Sequence, residues 1–241
     1  MHCLKKSSVK QIKERFDNDV ERFSILDIGQ TTTVDAVLAM GLVTEVASLV
    51  TPGASHVLDV GCGAGNYTLK LLERLPDIDV TLVDLSRLML DRASERIREV
   101  SSGEINTVQG DIREIDLGSE QHDIVLAAAV LHHLRNEYEW EQVFRKLFNT
   151  LRPGGGLWVF DLVEHSLQVV QDLMWDRYGE YLVDFKDEEF RELVYGYITQ
   201  EDTPRPLLFQ VDMMRKVGFV NPVVLHKNIC YAAFGAVKPL A

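Results

Sequence analysis

From Thr51 onward the chain alternates short β-branched runs with helical ones, and this alternation constrains the fold more than any other feature of the sequence. "SHVLDV" reads as a strand, "NYTLKLLERL" as a helix, "DVTLVD" as a strand, and "SRLMLDRASERIREV" as a helix with Leu88, Leu90, Ala93 and Ile97 near helical spacing. "INTVQ" and "DIVLAAAV" follow as strands. Then come a helix, "EWEQVFRKLFNTL", closed by Arg152-Pro153-Gly154-Gly155, and a strand, "GLWVFDLV". Strands joined through helices must run parallel, so the expectation is an α/β fold with a doubly wound, mostly parallel sheet. Its ligands sit at the carboxyl ends of the strands, near the point where strand order reverses.

Two segments fall outside the alternation. Residues 9–24 carry Val9, Ile12, Phe16, Val20 and Phe23 at helical spacing, an amphipathic helix ahead of the sheet. Its stripe needs a surface, either the open edge of the sheet, which it and the "DIGQ" turn would cover as a lid, or a second subunit in a homodimer. Between Glu164 and Gly218 lies a largely helical insertion holding Trp175, Tyr178, Tyr181, Phe185, Tyr195 and Tyr197. The tail "FVNPVVLHKNICYAAFGAVK" reads as two strands of a terminal hairpin. With 241 residues, 46% of them hydrophobic, the chain suits one domain. It divides into an N-terminal helical lid (1–50), a cofactor-binding core (51–163), the helical insertion (164–218) and the terminal strand pair (219–241).

Charge and cysteine usage narrow the function classes. A formal net charge of −12 disfavours a general nucleic-acid or anionic-membrane surface. The longest apolar run, Ile124 to Leu131, is too short to span a bilayer, and the polar N-terminus has no signal-peptide apolar region, so a cytoplasmic protein is expected. Cys3, Cys62 and Cys230 have no C-x-x-C spacing, and no His/Cys/Asp/Glu group has metal-ligand spacing in sequence; no metal is expected.

The loop after the first of these strands, "LDVGCGAGNYT", places Gly61, Gly63 and Gly65 behind Asp59. A dinucleotide fingerprint would require a glycine at position 66, where Asn66 stands. Glycines let backbone approach a ligand and turn into a helix whose N-terminus favours a carboxylate or a phosphate. The preceding acid repels a pyrophosphate and suits an ammonium group.

"LDVGCGAGNYT", the acid of "VTLVDLS", "QGDIRE", "DIVLAAAVLHHL" and "LRPGGGLWVFD" stand in the order and spacing of the class I S-adenosylmethionine-dependent methyltransferases, and the chain resembles that family from residue 51 to its end. The resemblance implies a Rossmann-like methyltransferase sheet and S-adenosylmethionine as cofactor. It implies Asp59 near the methionine amino group, with Gly61, Cys62 and Gly63 along the methionine and ribose. Asp84 would accept the ribose hydroxyls and Leu85 flank the adenine. Asp111 would accept from the adenine amino group, the Ile112 backbone would complete ring recognition, and Ala127 and Ala128 would bound the sulfonium. Read singly, Asp59 is equally a helix cap and Asp111 a turn acid.

Methyl transfer from a sulfonium needs proximity and orientation, sometimes with a general base. His132 and His133 of "VLHHL" are the catalytic candidates beside the methyl position; as neighbours they would diverge on a helix and form no metal pair. Packing or capping is the alternative role for each. The Asn/Asp-Pro-Pro-aromatic signature of base-methylating enzymes is absent after the fourth strand, so DNA is not the expected partner. The N-terminal run and the tail are also similar, more loosely, to enzymes that make carboxy-S-adenosylmethionine. Those carry a tyrosine where this chain has Gln30, a further cofactor-binding candidate. Plain methyl transfer to a small-molecule acceptor is therefore the expectation, with the carboxy-forming enzyme and a non-catalytic cofactor-binding module as alternatives. Trp175, Tyr178, Tyr195 and Phe23 suit a partly apolar acceptor and suit core packing equally.

Overall fold

The computed structural model describes residues 6–25 and 32–240. Among the described residues, three helices precede the sheet: α1 (Val9–Asn18), α2 (Val20–Ser24) and α3 (Ala36–Val50). There follow β1 (His56–Val60), α4 (Asn66–Leu72), β2 (Asp79–Asp84), α5 (Arg87–Arg98), β3 (Ile105–Gln109) and β4 (His122–Ala128). A 3-10 turn (Leu131–His133) leads to α6 (Glu137–Thr150), β5 (Leu151–Glu164), α7 (Gln168–Phe185) and α8 (Glu188–Glu201). The two-residue β6 (Arg205–Pro206), α9 (Leu207–Val217), β7 (Val220–Asn228) and β8 (Tyr231–Val237) complete the described chain.

The sheet runs β3-β2-β1-β4-β5-β8-β7, with β6 paired to β5. Strands β1 to β5 are mutually parallel, and β8 is antiparallel to both β5 and β7, as expected of a terminal hairpin. Val57 and Leu58 on β1 are fully buried because helices cover both faces of this central strand. Alternation along β4 sends Ile124 and Leu126 into one core, with Leu71, Leu90 and Ile97, and sends Val125 and Ala127 into the other, with Trp140, Phe144 and Met214. The first core lies against α3, α4, α5 and α7, and the second against α6 and α9.

Two boundaries differ from the sequence expectation. The helix expected over 9–24 breaks at Asp19, whose amide donates to Phe16 O at 3.1 Å before α2 begins. Strand β5 begins at Leu151, five residues before Gly156, because Leu151 pairs with His122 and the Gly154-Gly155 backbone exchanges hydrogen bonds with Lys238 at 3.0 and 2.8 Å. The Pro-Gly-Gly segment is therefore part of an irregular strand and not only a helix stop. No described helix is long and apolar enough to cross a membrane.

Candidate functional site

Strand order reverses between β1 and β4, and a cavity of about 510 Å³ opens beyond the carboxyl ends of these strands. One part of its lining comes from the strand ends and the loops after them. The other comes from α1, α2 and α8. Of the sequence-predicted residues, Asp59, Gly61, Cys62, Gly63, Asp84, Leu85, Asp111, Ile112, Ala128, His132 and His133 all line it. Ala127 does not: strand alternation turns its side chain into the core on the α6 side of the sheet. Gln30 and the "DIGQ" turn lie outside the described residues.

The glycine loop is held from the neighbouring strand. Gly61 N and Cys62 N donate to Val83 O at 2.8 and 3.0 Å, and Gly63 N donates to Asp84 Oδ2 at 2.9 Å. Ser86 N donates to the other oxygen, Oδ1, at 2.8 Å, while the Ser86 hydroxyl caps α5. Burial pushes the Asp84 carboxyl up, against the two amides that favour its charge. Asp59 is deeper still. Burial raises its pKa to about 6, although the Thr68 hydroxyl donates to Oδ2 at 2.7 Å. Burial likewise keeps the Cys62 thiol well above its usual range, so it is no nucleophile.

Two features at this end leave room and polar capacity for a ligand. Gly63 has φ +50°, and a Cβ there would meet no protein atom within 4 Å. The Tyr67 hydroxyl, a lining residue, is buried without a hydrogen-bond partner. Asp111 is more committed than its sequence context suggests, since the Arg113 guanidinium donates to both its oxygens and Arg113 pairs onward with Glu139 at 3.3 Å. Burial works against the Asp111 charge, but Arg113 outweighs it and holds the carboxyl below its usual range.

At the other end, residues 131–133 form a 3-10 turn and not a longer helix, so the expected divergence of the two histidines fails: their rings lie 4.4 Å apart. Asp161, fully buried on β5, accepts His132 Nδ1 and the His132 amide, the latter at 3.0 Å. Asp202, which caps the end of α8, lies 3.6 Å from His132 Nε2 and 3.2 Å from His133 Nδ1. Burial alone would lower the His132 pKa, but Asp161 and Asp202 together raise it to about 9. Burial also opposes the Asp202 charge, and the two imidazoles hold that carboxyl below its usual range. His132, His133 and Asp202 thus form a group with metal-ligand spacing, against the expectation from sequence. The separation of 69 positions between His133 and Asp202 hides it.

The helices over the cavity are tied down by specific bonds. Arg15 donates through Nε and Nη2 to the Glu201 carboxylate, Ser86 Oγ donates to Asp17 Oδ1 at 2.5 Å, and Asn66 Nδ2 donates to Phe23 O at 2.9 Å. Arg96 on α5 turns in to donate to Ala64 O and to Asn66 Oδ1 and so buttresses the loop. Phe16, Phe23, Phe190 and Tyr197 contribute aromatic faces to the lining, as do Tyr67, Phe160, Tyr178 and Tyr231. Trp175 and Tyr195 do not line the cavity; they stack on each other at 5.0 Å. Of the residues absent from the sequence reading, Asp161 left a signal, a carboxylate inside the apolar run "WVFDLV" that a buried strand tolerates only with partners.

Residues 57–155 match the protein family described as "Methyltransferase domain". Over 146 residues the chain is 25% identical to the malonyl-[acyl-carrier protein] O-methyltransferase of Priestia megaterium, covering 61% of this chain and 49% of that protein. Over 114 residues it is 30% identical to the demethylmenaquinone methyltransferase of Listeria welshimeri, covering 47% of each. The chain thus spans about half the length of these relatives. Its fold is similar to that of human N-acetylserotonin methyltransferase in complex with S-adenosylmethionine, with a TM-score of 0.62 at 17% identity over 97% of this chain and 59% of the other.

Proposed function

We propose that this chain, whose residues 57–155 match a methyltransferase domain, is a class I S-adenosylmethionine-dependent enzyme that transfers a methyl group from this cofactor to a small, partly apolar acceptor. The carrying observation is that one cavity is bordered by the Gly61–Gly63 loop with Asp59 and Asp84 and also by His132, His133 and the aromatic faces of α1, α2 and α8. A cavity of about 510 Å³ falls within the range of small-molecule sites.

The residues present fit the cofactor. Asp84 has lone pairs beyond those the Gly63 and Ser86 amides use, and these suit ribose hydroxyls. Asp59 provides a buried carboxylate for an ammonium group, and the unpartnered Tyr67 hydroxyl is a further polar contact. Leu85 and Ile112 would flank the base, and Ala128 would stand beside the sulfonium. When bound, S-adenosylmethionine supplies a methyl group on an activated leaving group. The chain's part is to align the acceptor and exclude water. In this reading α1 and α2 close the cavity, held by the Arg15–Glu201 pair, and the lining aromatics seat an apolar or ring-bearing acceptor. His132 and His133 stand where the acceptor's reacting atom is received.

Three lining arginines, Arg15, Arg22 and Arg113, already pair with Glu201, Asp19 and Asp111. That favours the plain cofactor over a carboxylated one. Mass spectrometry of the molecule that co-purifies with the protein tests the reading: S-adenosylmethionine or S-adenosylhomocysteine is expected, and a carboxylated cofactor would overturn it. Supplied with an acceptor, the enzyme accumulates S-adenosylhomocysteine with time, whereas a mere binding module does not.

A further inference from the structure

We propose that His132 Nε2, His133 Nδ1 and the Asp202 carboxylate bind one divalent first-row transition-metal ion on the wall of the cavity. The three donor atoms lie within 4.8 Å of one another. Metal–ligand bonds of about 2.1 Å at tetrahedral or octahedral angles separate neighbouring donors by roughly 3.0–3.4 Å. The Asp202 oxygen is 3.2 Å from His133 Nδ1 and 3.6 Å from His132 Nε2, and the histidine donors lie within 4.8 Å of each other, so a rotation of the imidazoles toward Asp202 closes the shell.

The surroundings are those of a metal-bound histidine. Asp161 accepts from His132 Nδ1, which fixes the ring and leaves Nε2 as the atom facing Asp202. Asp161 is itself held by the amides of His132 and Leu162 at 3.0 and 2.8 Å, and is fully buried. The two segments are locked together, because Thr203 N donates to His132 O at 2.7 Å and Arg135 donates to Glu201 O. The nearby Arg15 is spent on Glu201 through a two-pronged contact, so the ion pairs of the Asp202 carboxylate are with the two imidazoles.

Two imidazoles and one carboxylate select zinc, iron, cobalt or manganese over magnesium and calcium, which prefer oxygen ligands. All three ligand residues line the cavity, so coordination positions not taken by the protein face its interior. Such an ion would receive a hydroxyl oxygen of the acceptor and favour loss of its proton to solvent. That last role rests on the methyltransferase reading; the binding of the ion does not.

The test is titration of chelator-treated full-length protein with cobalt(II) alone, followed by visible absorption. One equivalent is expected to bind and to be displaced by zinc, with no displacement by millimolar magnesium. His133→Ala and Asp202→Asn each lower the affinity at least a hundredfold, and Asp161→Asn lowers it ten- to a hundredfold. Circular dichroism verifies that each variant is folded. X-ray absorption of the cobalt-loaded unmodified protein gives a readout free of any variant: nitrogen and oxygen neighbours with imidazole scattering are expected. No saturable binding below millimolar cobalt, binding unchanged in folded His133→Ala and Asp202→Asn, or sulfur neighbours from Cys62 or Cys230 would each overturn the site.

Discussion

Asp84 Oδ2 accepts the amide of Gly63 at 2.9 Å, across 21 positions of sequence, while Oδ1 of the same carboxylate accepts from Ser86. One side chain at the end of β2 thereby fixes the loop that follows β1 and the start of α5. Because both bonds come from backbone, the carboxylate is oriented before any ligand arrives, and its remaining lone pairs border the cavity.

The two glycines of that loop should fail differently when substituted. At Gly61, φ is +66° and a Cβ would sit 2.6 Å from Val130 Cγ2, so Gly61→Ala should destabilise the fold by about 1–3 kcal/mol. At Gly63 a Cβ meets no protein atom within 4 Å, so Gly63→Ala should carry only the positive-φ cost of about 1 kcal/mol while obstructing the ligand. Thermal melts and S-adenosylhomocysteine titrations of both variants separate the effects. Equal affinity loss per unit of stability loss would contradict this division.

Asp59 predicts a specific pH dependence. Burial lifts its carboxyl from 3.8 to about 6, so the stability it contributes is fully present below about pH 4 and is lost as pH rises through 6. Above that, the ionised group costs on the order of 3 kcal/mol in the ligand-free protein. Asp59→Asn should therefore melt at higher temperature than the unmodified protein at pH 8, and the difference should vanish below about pH 4. An ammonium-bearing ligand favours the charged form, so its affinity should rise as pH increases from 5 to 7.5. A melting difference independent of pH would refute the assignment.

The sheet was legible in the sequence because its strands are buried on both faces and its turns carry glycine, as the runs "HVLDV" and "DIVLAA" show. The strand-end part of the cavity lining was legible for the same reason: Asp59, Gly61, Gly63 and Asp84 sit at strand ends within one βαβ unit, where local pattern fixes position. The other end was not. Asp161, Asp202, Glu201 and Arg15 meet only because α8 folds back over β5 and α1 crosses above it, and no periodicity records contacts between segments 40 to 190 residues apart. Of the pair Ala127 and Ala128 only the second lines the cavity, since a strand's alternation assigns a face only once the neighbouring helices are known.

Arg15 and Glu201 should govern how tightly α1 is held. Arg15 contacts a nearly buried carboxylate through two nitrogens, and its own side chain is 21% exposed, so the pair contributes about 1–2 kcal/mol after solvent screening. Arg15→Ala should raise proteolytic cleavage within residues 6–25 roughly five- to thirtyfold and speed cofactor release, leaving the melting of the sheet little changed. Cleavage at the unmodified rate would show that the pair does not hold the helix.

The most direct measurement of the central claim is a calorimetric titration of S-adenosylhomocysteine into the unmodified protein and Asp84→Asn, with NADH as comparator. The account predicts one-to-one binding of S-adenosylhomocysteine, no binding of NADH, and an affinity ten- to a hundredfold weaker in the variant, about 1.5–3 kcal/mol. NADH binding without any response to S-adenosylhomocysteine would contradict the cofactor itself, and full affinity in Asp84→Asn would contradict the site.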